Sequence, residues 1–359
     1  MENQQSNSQP QGEQQIPGYQ ILSKLGAGAM AVVFKAKQIS LDRTVAIKVM
    51  PKKMSQDAEY VQRFYVEGQV AAKLNHPNIV AAIDVNEAHG YHYFVMEYVE
   101  GKTVYDDLQK GKIYSEEEAL DIAIQMSQAL IHAHKLGLMH RDVKPKNIMI
   151  TNTGVAKLMD MGLARITDDP EAIAAEAGRL FGTPYYISPE QIIGKNDVDK
   201  RCDIYSLGAT LYHMVTGKVP FEGEDAKTVM IKHCKEKLVA PDRHNIDLSF
   251  GLVKVIQKMM AKKRSDRYQT AEELLEDLQS LDFMLETASP KDGADHGHYN
   301  HQASLSGNAD NMAPSAPEVK TVIKEVKVHI PAPINQGLLW GLIISGILNI
   351  VLLAYHFLK

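Results

Sequence analysis

Cysteine is scarce. The 359 residues contain two, Cys202 and Cys234. They form neither a CxxC pair nor a zinc spacing, which excludes a disulfide framework and a structural zinc site. Reduced, partly buried thiols of a cytosolic domain are expected instead. Positive charge is not in excess, with 39 Lys and Arg against 44 Asp and Glu and a net charge of −5. Nucleic-acid binding by bulk positive charge is therefore excluded, and no nucleic-acid partner is expected. There is no internal repeat. The first fifteen residues hold Gln, Asn and Ser and no apolar run, so they are not a signal peptide. Apolar residues at 45% and charged residues at 23% are ordinary globular values, which exclude a wholly disordered or collagen-like chain. A mean hydropathy of −0.23 excludes a multi-span membrane protein, although an average can hide one short greasy segment.

What is present divides by composition. Residues 1–17 read as a disordered leader. The full length is enough for about two domains, and residues 18–285 show alternating and helical apolar periods and read as the globular part. Residues 286–333 read as a linker, first rich in Ala, Ser, Asn, Gly, Asp and His, then mixing Val and Ile with Lys before Pro331-Ala332-Pro333. Its His296, His298 and His301 lie in a segment with no apolar period and read as solvated side chains, not a metal site.

Residues 334–359 differ in kind. Residues 337–358, GLLWGLIISGILNIVLLAYHFL, carry no Asp, Glu, Lys or Arg. As a helix this run is about 33 Å long, enough for a hydrocarbon core of roughly 30 Å. Trp340 and Tyr355 suit the two interfaces. With only Lys359 following, the run is expected to be a transmembrane tail anchor in a lipid bilayer. Lys320, Lys324 and Lys327 precede it, so the positive-inside bias puts the globular part in the cytoplasm. Glu318 and Glu325 dilute that cluster and argue against a lipid-specific patch. Gly337, Gly341 and Ser345 recur every four residues and would let a second helix approach closely in a homodimer.

Leu25-Gly26-Ala27-Gly28-Ala29-Met30-Ala31 is a glycine-rich turn, weak evidence alone because a dinucleotide-binding turn is similar. A dinucleotide site needs a helix next. Here Val32-Val33-Phe34-Lys35-Ala36 is strand-like, and a turn at Ser40 leads to a second strand carrying Val45-Ala46-Ile47-Lys48. That is a hairpin, whose small residues let backbone N–H groups lie against phosphates. Lys48, flanked by apolar residues, is a buried cation that needs anionic partners. Glu67, on an expected helix, is placed to supply one.

His140-Arg141-Asp142-Val143-Lys144-Pro145-Lys146-Asn147 precedes a further strand, and Asp160-Met161-Gly162 follows it. In this order and spacing, the set resembles the eukaryotic-type (Hanks-type) Ser/Thr protein kinase family over residues 18–285. Gly182-Thr183-Pro184-Tyr185-Tyr186-Ile187-Ser188-Pro189-Glu190 resembles its substrate-docking segment. Asp203 to Gly208 resembles its central buried helix, and Arg267 the partner of Glu190.

The resemblance implies an α+β bilobal kinase fold, with a small β-sheet N-lobe over residues 18–98 and a mainly helical C-lobe over 99–285. It implies ATP and Mg²⁺ as cofactors and protein Ser/Thr hydroxyls as acceptors. Leu25, Gly26, Ala27, Gly28, Ala29, Met30 and Ala31 would cover the phosphates. Lys48, oriented by Glu67, would hold them. Asp160 and Asn147 would bind metal. Asp142 would accept the acceptor's proton, with Lys144 neutralising the γ-phosphate and Thr183 shaping the acceptor site. Val33, Ala46 and Met149 would sandwich the adenine, with Met96, Glu97 and Val99 in the hinge. The family's bacterial layout, a cytoplasmic kinase with a single span, fits the chain.

Three departures stand out. Ala31 replaces the third glycine, tolerable if its φ is negative. Met161 replaces Phe and can fill the same gap between the lobes, tuning the active state. Arg141 beside Asp142 implies a phosphorylated partner, yet Ala177, Gly178, Arg179, Leu180 and Phe181 cannot be phosphorylated. Either Thr167 is the acceptor, or one of Asp168, Asp169, Glu171 and Glu176 substitutes for phosphate. The alternative to an enzyme is a membrane-anchored pseudokinase scaffold. Such proteins usually lack one of the three residues that Lys48, Asp142 and Asp160 supply here.

Overall fold

The computed structural model describes residues 16–28, 31–160, 184–194 and 197–288. It is bilobal, a sheet with one helix above and a mainly helical lobe below. The upper sheet has the order β1-β2-β3-β5-β4, all neighbours antiparallel, built from β1 (Tyr19–Ala27), β2 (Val32–Gln38), β3 (Arg43–Val49), β4 (Ala82–Ala88) and β5 (Tyr91–Glu97). β3 is central, so its Val45-Ala46-Ile47 run is buried on both faces. Val45, Ile47 and Val49 join Ala36, Tyr93 and Val95 on one face. Ala46 and Met50 join Phe64, Ala71, Phe94 and Met96 on the other. Alternation along the strand puts Lys48 on that second face, the one covered by α1 (Ala58–Ala71).

The Asp57 carboxylate caps α1 by accepting from Glu59 N–H at 2.9 Å. Phe64, Glu67, Gly68 and Ala71 form its buried stripe. Gly68 is there for closeness, since a Cβ would come within 3.0 Å of Val85. The glycine turn is shorter than expected, because β1 runs on through Leu25, Gly26 and Ala27. Gly28 N–H donates to Ala31 O at 2.8 Å to close the hairpin.

Below lie β6 (Gly101–Thr103), α2 (Val104–Gln109) and α3 (Glu116–Lys135). Ser115 and Glu118 form a capping box at the start of α3, and His132, His134 and Lys135 complement its negative end. β7 (Ile148–Thr151) and β8 (Ala156–Leu158) complete an antiparallel sheet with β6. α4 (Pro189–Ile193) precedes α5 (Arg201–Thr216), which is buried almost all round as expected for the central helix. α6 (Ala226–Lys235), α7 (Phe250–Met259) and α8 (Ala271–Ala288) follow. Gly208 lets α5 and α7 touch, because a Cβ there would sit 2.7 Å from Met259 Cβ. Cys202 is buried, Cys234 half-buried, and both are free.

The two lobes are stapled behind the cleft. Val80 N–H donates to Leu158 O at 2.9 Å, and Leu158 N–H donates to Asn78 O at 2.8 Å. The Asn78 amide donates to Ala156 O and to Gln125 Oε1.

Among the described residues no helix is long and apolar enough to cross a membrane. The expected span at 337–358, with Gly337, Gly341 and Ser345, lies outside the described residues. So do most of the leader, the bulk of the linker with its histidines, and Met161, Thr167 and the acidic residues near it.

Candidate active site

The sheet and α1 bring Lys48 and Glu67 together. Lys48 Nζ donates to Glu67 Oε1 at 2.7 Å and to Asp160 Oδ1, from the lower lobe, at 3.2 Å. Burial alone would lower the Lys48 pKa, but the Asp160 and Glu67 carboxylates outweigh it and hold the ammonium well above the usual lysine value. Burial pushes the Glu67 carboxyl up, with Lys48 opposing. The cation is therefore fixed and permanently charged at the floor of the cleft.

Residues 140–147 form the second cluster. Lys144 Nζ donates to Asp142 Oδ2 at 2.6 Å. The Asn147 amide Nδ2 donates to the same oxygen at 3.0 Å and to Asp142 O at 2.9 Å. Asn147 O accepts from Met159 N–H at 2.9 Å, which ties this loop to the residue before Asp160. His140 bridges the same two segments, with Nε2 at 3.0 Å from Met159 O. Its Nδ1 accepts from Asp142 N–H at 3.3 Å, so Nε2 carries the proton given to Met159 O.

The loop bends through strained backbone. Arg141 has φ of +62° and Asp160 +54°, left-handed values unfavourable for residues with a Cβ. Asp203, fully buried on α5, restrains the first of these. Its Oδ1 accepts from Arg141 N–H at 2.7 Å and its Oδ2 from His140 N–H at 2.9 Å, with His134 Nε2 also 2.9 Å from Oδ2. Burial works to raise the Asp203 carboxyl, but the His134 bond and the neighbouring histidines hold it below the usual aspartate value. The sequence pointed to Asp203 only as scaffold. Its role as clamp had no local signal, since its partners lie about sixty residues earlier.

The expected adenine residues are partly gathered. Ala46 pairs with Met96 across β3 and β5, and Val33 packs against the same cluster. Met149 comes from the other lobe, on β7. Glu97 is committed elsewhere: Oε1 lies 3.0 Å from Lys157 Nζ, and its N–H donates to Ala81 O at 2.9 Å. Lys157 is a neighbour that sequence motifs did not flag. Val99 is buried beside the hinge. Ala29, Met30 and Thr183 lie outside the described residues.

A magnesium nucleotide fits this donor set. Asp160 keeps a part-exposed carboxylate, with Oδ1 held by Lys48. Asn147 spends both Nδ2 hydrogens on Asp142, so its oxygen is the atom suited to a hard cation. Lys48 supplies the positive charge that phosphates require.

Glu190 and Arg267 form a buried ion pair, with both terminal guanidinium nitrogens donating, at 2.7 and 2.8 Å. Arg267 also donates to the carbonyls of Ala261, Lys262 and Arg201, so the desolvated cation is fully engaged.

Comparison with known proteins agrees with this geometry. The chain is 41% identical over 263 residues to a probable serine/threonine-protein kinase of Clostridium perfringens, covering 73% of this chain and 38% of that protein. It is 40% identical over 264 residues to the serine/threonine-protein kinase PknB of Mycobacterium tuberculosis, covering 72% and 42%. The chain thus spans about two fifths of the length of the curated relatives it matches. The crystal structure of the Mycobacterium tuberculosis PknI kinase domain superposes with a TM-score of 0.59 at 28% identity, covering 74% of this chain and 97% of that one. A family model described as the protein kinase domain matches residues 19–278, and with the lysine, aspartate and asparagine clusters in place the chain belongs to that family.

Proposed function

We propose that this chain is a Ser/Thr protein kinase that transfers the γ-phosphoryl group of ATP to protein hydroxyls. One observation carries the reading: the phosphate-side cluster (Lys48, Glu67, Asp160) and the acceptor-side cluster (Asp142, Lys144, Asn147) are both complete and are joined through Met159. Phosphoryl transfer needs positioning and charge neutralisation more than covalent help. Residues 25–31 would cover the phosphates with backbone N–H groups. Lys48 holds the α- and β-phosphates, oriented by Glu67. Asp160 and the Asn147 oxygen would hold magnesium, which would neutralise phosphate charge. The Asp142 carboxylate takes the acceptor hydroxyl's proton and aims its oxygen in line. Lys144, paired with Asp142, would neutralise the γ-phosphate. Glu97 contributes its carbonyl to the adenine, with Val33, Ala46 and Met149 as walls.

The relatives named serine/threonine-protein kinases support the choice of acceptor. The proposal extends to the rest of the chain: residues 337–358 span a bilayer and hold residues 18–285 at its cytoplasmic face. The apolar run and the lysines before it support that part. The decisive assay is transfer from radiolabelled ATP to a generic protein substrate, wild type against Asp142→Asn. Labelling by wild type and its loss in the variant are expected, and equal labelling overturns the catalytic assignment. Deletion of residues 334–359 is expected to move the protein to the soluble fraction with transfer retained. Retention at the membrane overturns the anchor.

A further inference from the structure

The peptide unit just before Asp142 is held from both sides. Its N–H, on Asp142, donates to His140 Nδ1 at 3.3 Å. Its carbonyl, on Arg141, accepts from the Gln191 amide Nε2 at 2.9 Å. Gln191 lies fifty residues further along the chain, on α4, and is buried. The other end of its amide is also engaged: Oε1 accepts from Ser188 Oγ at 2.9 Å and from Ser188 N–H at 3.3 Å. Ser188 is fully buried and closes the segment that begins at Pro184. One side-chain amide therefore connects the end of that segment to the carbonyl preceding Asp142.

The chemistry of this link is directional. A carbonyl needs a donor, and a serine hydroxyl and N–H need an acceptor. Only a carboxamide offers both on one side chain of this length. Glutamate would supply the acceptor and set a carboxylate oxygen against the Arg141 carbonyl. Methionine would fill the volume and supply neither. The link also acts where the backbone resists, since Arg141 is left-handed and its peptide plane depends on outside restraint. Rotation of that plane turns the Cα–Cβ bond of Asp142, and with it the carboxylate.

We infer that Gln191 is a positioning residue, holding the Asp142 peptide plane and coupling it to the acceptor-side segment through Ser188. The inference rests on the proposed kinase reading, in which Asp142 is the base and residues 184–188 face the acceptor. Gln191 touches neither nucleotide cluster, so its loss acts on the chemical step and on acceptor alignment.

The test compares wild type, Gln191→Met, Gln191→Glu and Ser188→Ala in the full chain, solubilised in detergent. Transfer from radiolabelled ATP to a generic protein substrate is measured at varied ATP and varied acceptor. Gln191→Met is expected to lower kcat about tenfold while the KM for ATP stays within twofold, the effect of one lost buried bond on the transition state. Gln191→Glu is expected to lose more, because the donor becomes an acceptor. Ser188→Ala leaves the Arg141 bond and the Ser188 N–H bond to Gln191 intact, and is expected to lower kcat less than Gln191→Met; a loss equal to or larger than that of Gln191→Met overturns the inference. A Gln191→Met protein with wild-type kcat overturns the inference, as does a KM for ATP that rises in step with the fall in kcat. If Gln191→Met does not fold, Gln191→Glu at pH 5 against pH 8 decides: protonation restores a donor, so activity relative to wild type should recover toward pH 5, and a constant ratio overturns the inference. Wild-type protein that transfers no label would overturn the kinase reading itself, a separate outcome.

Discussion

Asparagine at position 203 tests the clamp on the catalytic loop. Asp203 holds two backbone N–H groups, Arg141 on Oδ1 and His140 on Oδ2, with both oxygens in use. An asparagine keeps one oxygen. Whichever way its amide turns, the NH₂ group faces a backbone N–H that can only donate. Two bonds to a charged acceptor contribute roughly 4 kcal/mol, taking about 2 for each. The left-handed Arg141 opposes them with about 1.5 kcal/mol of strain. The competent loop is then favoured by about 2.5 kcal/mol in the native protein. Asp203→Asn removes one bond and faces two donors, a swing of roughly 4 kcal/mol in all. The balance becomes about 1.5 kcal/mol against the competent loop, or roughly one molecule in thirteen. The expected result is a kcat about tenfold lower, with the KM for ATP little changed because Lys48, Glu67 and Asp160 are not in contact with Asp203. Stability should fall by the 2.5 kcal/mol (approximately) needed to reach the relaxed loop, lowering Tm by roughly 5–10 °C for a domain of this size. Steady-state transfer kinetics and a thermal melt measure both. Unchanged kcat and Tm would refute the reasoning, and so would a loss confined to the KM for ATP.

Other expectations follow from separate parts of the structure. Lys48→Met leaves the Glu67 and Asp160 carboxylates without their shared cation and should lower kcat/KM for ATP about 10²–10³-fold, measured by transfer at limiting ATP. Burial, helped by Lys262, pushes the His233 imidazole down to about 3, so the folded state refuses a proton that the unfolded chain takes up below about pH 6.5. Stability should therefore be complete above that pH and fall by about 1.4 kcal/mol per pH unit below it; denaturant melts of His233→Phe between pH 4 and 6.5 should show a slope flatter by that amount. Gly208→Ala should destabilise by about 1–3 kcal/mol by forcing α5 from Met259, read as a shift of the denaturant midpoint.

The chemistry-bearing residues were largely legible in the sequence, for a physical reason. Asp142, Lys144 and Asn147 sit within one short loop, so the motif's spacing marked them as one group. Lys48 and Glu67 announced a partnership because a lysine in a buried strand requires one. The strand carrying Lys48 was legible from the apolar residues flanking it, and the central helix from the resemblance of Asp203 to Gly208 to the family's buried helix. The restraints were not legible. Asp203 on the loop, Gln191 on the Arg141 carbonyl and Lys157 on Glu97 join residues fifty or more positions apart, and no local pattern marks them. The same holds for Gly68 and Gly208, whose lack of a side chain has meaning only once the opposing Val85 and Met259 are in place. Pairing of Lys144 with Asp142 was also unforeseen, since the motif suggested a phosphate partner alone.

The staple at Asn78, Val80 and Leu158 has a kinematic consequence. It pins the chain a few residues beyond the C-terminal end of α1, so the helix is a lever with its fulcrum at that end. Glu67 lies four residues from Ala71, about 6 Å along the axis, whereas Ala58 lies thirteen residues away, about 20 Å. Any given swing displaces the free end roughly three times as far as Glu67. A small force at the capped end, around Asp57 and Glu59, therefore arrives at the Lys48 contact geared down in travel and magnified in strength.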